Sequence, residues 1–129
     1  MNNIDIKSLN DLSYQVIGCV YRVHKELGPG LLESTYEVCL EHELSKAGLN
    51  TSRQVALPVV YDNIKLDAGY RIDLLVEDKI ILELKAVDEV APIHKAQLMT
   101  YLKLSGLKLG LLLNFKVMDM KKGITRIIM

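Results

Sequence analysis

Apolar residues recur at threes and fours through the first part of the chain, cluster in short runs through its middle, and regain helical spacing once more before the end. From about Leu9 to Leu27, the residues Leu12, Val16, Cys19, Val20, Val23 and Leu27 form one stripe, which predicts an amphipathic helix. Ser8 or Asn10 is placed to cap it, Gly28 suits a left-handed stop, and Pro29 bars continuation. A second stripe, Leu32, Tyr36, Cys39, Leu40 and Leu44, predicts a helix from about Gly30 to Lys46, with Gly48 as its stop. The turn between the two is short, so they should pack as neighbours.

After Gly48 the periodicity changes. Val55 to Tyr61 is β-rich, and Pro58 marks an edge or a bulge. Asp62-Asn63 is a turn, Ile64 to Asp67 a short strand, and Ala68-Gly69 a break. Ile72–Val76 and Ile80–Val87 are short apolar runs split by Glu77-Asp78-Lys79, which predicts a buried hairpin. Pro92 opens a third helix, about Ala91 to Leu104, that ends at Ser105-Gly106. Leu109 to Val117 reads as a buried strand, Lys121-Lys122-Gly123 as a turn, and Ile124 to Met129 as a final strand. The order of elements gives an α/β (α+β) fold, a mixed sheet of five or six strands packed on helices.

Composition narrows the class without choosing a function. The 129 residues suffice for one domain over residues 1–129 with a real core, and the 50% apolar content is ordinary for a globular chain. The 16 basic residues balance the 16 acidic ones, so net charge argues neither for nor against nucleic acid. Residues 1–64 hold 5 basic against 8 acidic residues and residues 65–129 hold 11 against 8, an asymmetry that a solvated face explains. Cys19 and Cys39 fall among apolar neighbours and read as reduced core thiols, with no zinc-type spacing. No apolar run reaches the ~18 residues of a membrane span, and the first residues lack the apolar core of a signal peptide. A cytoplasmic protein with no membrane partner is the expectation.

The hairpin carries the candidate chemistry. Ile81, Glu83 and Lys85 share one strand face, and Ile80, Leu82, Leu84 and Ala86 the other. A turn centred on Asp78 places Asp73 opposite Glu83, at the ~5 Å separation of cross-strand neighbours. Two carboxylates on an otherwise apolar sheet repel, and desolvating them is costly unless something pairs with them. A hard divalent cation would satisfy both. A solvent-facing strand with an ordinary salt bridge to Lys85 accounts for the same residues, and both readings stand at this point.

Asp73, nine intervening residues and then Glu83-Leu84-Lys85 resemble the PD-(D/E)xK nuclease signature, with Ile72 where the nominal Pro would be. The stretch Gly30-Leu31-Leu32-Glu33-Ser34-Thr35-Tyr36 matches G-x-x-E-x-x-Y, the motif of a family of small proteins grouped with that superfamily. Gln97-Leu98-Met99-Thr100-Tyr101 is similar to the Q-x-x-x-Y element that follows the catalytic Lys in its RecB-like branch. From the residues alone, Glu33 reads as a helix-dipole partner, Tyr36 as core, and the His94, Gln97 and Tyr101 stripe as a wet helix face.

The resemblance implies a restriction-endonuclease-like fold and a metal-dependent nuclease acting on DNA. By that likeness Asp73, Glu83 and Glu33 hold one or two magnesium or manganese ions, with the Leu84 carbonyl as a further ligand. Lys85 acts beside the attacking water, and Gln97 and Tyr101 orient the site or touch the nucleic-acid backbone. His94 has no counterpart. Arg71, Lys121 and Lys122 can reach phosphates, but surface positions explain them as well. No aromatic stacking platform or groove-reading element is evident. A homodimer is left open. The alternative is a catalytically silent nuclease-like fold that binds nucleic acid or protein; a phosphoester hydrolase acting on other substrates has no specific support.

Overall fold

The computed structural model describes residues 3–129, with side chains described from residue 6 onward. The first helix, α1 (Asn3–Leu27), starts before the expected Leu9, so Ser8 and Asn10 lie inside it and neither caps it. Asn10 instead accepts a hydrogen bond from Arg126. Gly28 follows in the left-handed conformation (φ 71°), and its N–H closes the helix on the His24 carbonyl.

The second helix, α2 (Glu33–Lys46), starts three residues later than the apolar stripe suggests. Tyr36 is the reason. Its buried hydroxyl donates to the Gly28 carbonyl and accepts the Leu31 N–H at 3.1 Å, which holds residues 28–31 in an open turn. Leu32 becomes the extended N-cap residue and is exposed, so it drops out of the apolar stripe; Tyr36, Leu40 and Leu44 remain buried and Cys39 half-buried.

The β-rich stretch from Val55 to Tyr61 is divided between two strands at Pro58. β1 (Thr51–Ala56) begins earlier, Leu57-Pro58 interrupts, and β2 (Val59–Tyr61) pairs only with β3 (Ile64–Leu66). The turn between them places Asp62 and Asn63 at positive φ, as a two-residue hairpin turn requires. Then come β4 (Arg71–Val76), β5 (Ile80–Lys85), α3 (Pro92–Ser105), β6 (Leu109–Asn114), a 3₁₀ turn at Met120–Gly123 where a turn is expected, and β7 (Ile124–Ile128). β6 stops at Asn114 rather than Val117, because the Asn114 side chain turns to bond both the N–H (3.1 Å) and the carbonyl (2.9 Å) of Val87.

The main sheet has the order β1-β4-β5-β6-β7. Only β5 and β6 are parallel, which requires a crossover, and α3 supplies it. α1 and α2 cover one face through Val16, Val20, Tyr36 and Leu40 against Leu74, Leu82, Leu84 and Leu111. On the other, α3 packs Leu98, Tyr101 and Leu102 against Ile72, Ile81 and Leu112. Gly110 lets α3 sit that close: a Cβ there would lie 2.8 Å from Leu98. Cys19 and Cys39 are free thiols. No described helix is long and apolar enough to cross a membrane.

Candidate active site

Glu77 and Asp78 both take positive φ, and Lys79 N–H bonds the Val76 carbonyl, so a tight turn sets the hairpin register. Val76 pairs with Ile80, Leu75 with Ile81 and Leu74 with Leu82, where the regular ladder stops. One position further, side chains take over. Glu83 Oε1 accepts the Asp73 N–H at 3.2 Å, and Asp73 Oδ2 accepts the Leu84 N–H at 2.9 Å. On its other side β4 also loses regular pairing at Asp73: the ladder to β1 runs Arg53 with Leu74 and Val55 with Ile72, and omits Gln54. Asp73 therefore sits where the sheet opens toward both neighbours, beside Glu83.

Burial decides the electrostatics. Glu83 is only 5% exposed. Desolvation, with the Asp73 charge added, pushes its carboxyl up to about 8, against the pull of the Asp73 N–H and of Lys85. Glu33 opens into the same cleft from the first turn of α2, and its carboxyl faces the Ala86 N–H. Partial burial raises its pKa, Lys85 lowers it, and Asp73 raises it again. Lys85, half-buried at the end of β5, thus lies in the field of both Glu33 and Glu83.

Two further residues belong to this cleft that sequence reasoning does not find. Glu37 lies one helical turn after Glu33, and Gln54 Nε2 donates to Glu37 Oε1 at 2.7 Å and to Asp73 Oδ1 at 3.4 Å. Gln54 holds this position with φ of 55°, a left-handed conformation in the middle of a strand. Such strain costs about 1–3 kcal/mol and gathers at functional sites. Burial raises the Glu37 carboxyl too; the Gln54 hydrogen bond opposes this, the Asp73 charge adds to it, and the guanidinium of Arg53, 3.5 Å away, pulls the other way. Leu32, Glu33, Ser34, Glu37, Gln54 and Asp73 enclose a cleft of about 360 Å³. The spacing of Glu33 and Glu37 is a signal on the helix; nothing in the sequence marks Gln54.

The remaining candidates separate. On α3, Gln97 Nε2 donates to the Tyr101 hydroxyl at 3.2 Å, and Tyr101 is buried within reach of the Glu83 and Asp73 charges, its pKa raised first by burial and then by Glu83. His94 Nδ1 accepts the Ala91 N–H at 3.1 Å, and His94 is close enough to Glu33 to lower its pKa. Tyr36 does not face the cleft; it stacks on Phe115 at 4.4 Å in the core. Arg71 lies against the Tyr70 carbonyl, 2.9 Å away. Lys121 and Lys122 are exposed on the 3₁₀ turn, whose Met120 packs into the α1–α2 side of the core.

Among the described residues, no three His, Cys, Asp or Glu side chains are grouped closely enough to enclose a metal ion. The Asp73–Glu83 pair on its own still fits a hard divalent cation. Magnesium is held by one or two carboxylates and keeps water elsewhere in its octahedron. Both donors here are oxygens, and a dication would offset both the burial and the Asp73 repulsion that raise Glu83.

The comparisons with known proteins meet this geometry from another direction. No curated protein and no solved structure matches the chain. A family model of the PD-(D/E)XK nuclease superfamily matches residues 10–127, from the first helix to the last strand. That span takes in most of α1, all of α2 and α3, the mixed sheet but for the last residue of β7, and the opened end of the hairpin, and the chain belongs to the PD-(D/E)XK nuclease superfamily.

Proposed function

We propose that the protein is a divalent-metal-dependent nuclease that hydrolyses phosphodiester bonds, with DNA as its substrate. The observation that carries this reading is the crossed pair: Asp73 and Glu83 engage each other's strands where the sheet opens, with Lys85 on the same strand face as Glu83. The Asp73 and Glu83 carboxylates would hold magnesium or manganese. The Leu84 N–H points at Asp73, and in a strand the carbonyl of a residue leaves by the same edge as its N–H, which supports the Leu84 carbonyl as a further ligand. A bound dication would lower the pKa of a water and neutralise charge on the scissile phosphate.

The chain's own residues supply the rest. The Lys85 ammonium holds the attacking water in place and donates to the negative charge that develops on the phosphate. Glu33, at the open side of the cleft, acts through a water rather than as a direct ligand. Gln97 and Tyr101, bonded to each other, fix the α3 side of the site beside Glu83. The second reading is a catalytically silent module that binds nucleic acid or protein. It draws support from the balanced charge of the chain, 16 basic against 16 acidic residues, which gives no net attraction to a polyanion.

Lys85→Met separates the two. It keeps the aliphatic stem and removes the charge, so it should leave magnesium binding by calorimetry intact and lower hydrolysis about a hundredfold or more. Asp73→Asn should abolish both. A wild-type protein that binds magnesium but cleaves neither DNA nor RNA would favour the silent module. Equal cleavage by wild type and Lys85→Met would reject the role given to Lys85.

A further inference from the structure

On the α3 side of the site lies a second cavity, of about 390 Å³, walled by Val59, Tyr70, Ile93, Ala96, Gln97 and Tyr101. Its volume is at the small end of the range for ligand pockets. The walls are mostly apolar, and the Gln97 amide and the Tyr101 hydroxyl give them one polar edge. Tyr70 is half-exposed, and its ring meets that of Tyr101 edge-on, with centroids 6.3 Å apart and planes at 65°. This is an aromatic platform after all. It is invisible in the sequence because its two rings come from the residue before β4 and the later half of α3.

We propose that this cavity is a nucleobase subsite, and that the strand being cut is therefore unpaired where it crosses the carboxylates. The proposal rests on the nuclease reading and names its substrate class. A base offers flat π faces to an aromatic ring and hydrogen-bonding groups along its edge, which is the division of chemistry found here. The cavity also adjoins the site: Gln97 and Tyr101 line it, and Tyr101 lies within the field of Glu83 and Asp73, so a base seated there would have its phosphate on the hairpin side. The Arg71 guanidinium lies 2.9 Å from the Tyr70 carbonyl and supplies positive charge beside the platform. Its acidic partner, Asp67, is 3.9 Å away and exposed, a pairing that water largely screens. A base stacked within a duplex cannot enter a pocket of this shape without being extruded, whereas an unpaired base enters at no such cost.

The test measures binding rather than cleavage, so that it stands apart from the catalytic reading. Fluorescence anisotropy with labelled oligonucleotides of about 12 nucleotides, in calcium, would compare single-stranded DNA, single-stranded RNA, the DNA duplex, and a DNA strand of abasic residues. Wild type should bind a single strand at least about tenfold tighter than the duplex, and the DNA and RNA arms show which strand it prefers. Tyr70→Ala should weaken single-strand binding by about 5- to 150-fold and leave duplex binding unchanged. Tyr70→Trp should restore it. Ala96→Leu fills the cavity from an exposed position without touching the core, and should also weaken it. Abasic DNA should bind wild type and Tyr70→Ala alike.

Single-strand binding that is absent, insensitive to both Tyr70→Ala and Ala96→Leu, or undiminished by removal of the bases would overturn the subsite. Tyr70-dependent binding by a protein that cleaves nothing would keep the subsite and reject the nuclease. Cleavage of duplex with no effect of either substitution would do the reverse.

Discussion

At its closed end the β4–β5 hairpin sets Leu74, Leu75 and Val76 against Leu82, Ile81 and Ile80 in a regular ladder. One pair further on it sets Asp73 against Glu83, and side-chain bonds replace the ladder. The two ends share strands and covering helices, yet burial acts on them with opposite sign. It stabilises the apolar pairs and penalises the carboxylates, whose charge it cannot solvate. The closed end therefore supplies the stability that holds the open end in an unfavourable arrangement.

The largest break in that contrast comes from the closed end. Leu82 is fully buried, and Leu82→Ala should lower unfolding stability by about 3–5 kcal/mol in denaturant titrations. A loss below about 1 kcal/mol would mean the hairpin is not anchored there.

Glu83→Gln probes the open end and should act the other way. The amide oxygen can still accept the Asp73 N–H, but no proton has to be taken up on folding. In metal-free buffer the variant should gain up to about 3 kcal/mol at pH 7, and with metal it should lose hydrolysis. The sign follows from a carboxyl raised from 4.5 to about 8 on folding. Below pH 4.5 it is protonated in both states and the variant gains nothing. Between 4.5 and 8 the unfolded chain ionises first, so wild type loses stability as pH rises; above about 8 the loss levels off. Equal pH profiles for variant and wild type would show that Glu83 is not buried as an acid.

The smallest effect isolates the strained neighbour. Gln54→Gly and Gln54→Ala both remove the bonds to Glu37 and Asp73, but only Gly adopts φ of 55° freely. The Gly variant should be more stable than the Ala variant by about 1–2 kcal/mol. Equal stabilities would mean that the strand relaxes once the side chain is gone.

The same contrast explains what is legible in the sequence. The closed end is written in apolar runs and a polar turn, so its strands and register follow from pattern, and Asp73 falls opposite Glu83. β1 is an edge strand whose Thr51-Ser52-Arg53-Gln54 start is largely exposed, so it carries little apolar signal. Pattern therefore misses its start, and Gln54 with it. The start of α2 departs from the apolar stripe because the hydroxyl of Tyr36, not a capping residue, decides where the helix begins. The pairing of Tyr70 with Tyr101 depends on how α3 crosses the sheet, which no local pattern encodes.

In genetic terms, Tyr36 belongs to the site. Its hydroxyl fixes the turn from which α2 departs, and Glu33 stands on the first turn of that helix. A screen for inactive variants should therefore return Tyr36→Phe beside substitutions at the cleft itself, although the ring would still stack on Phe115 in the core. A phenotype map of this chain would draw the proposed site one layer deeper than its chemistry reaches.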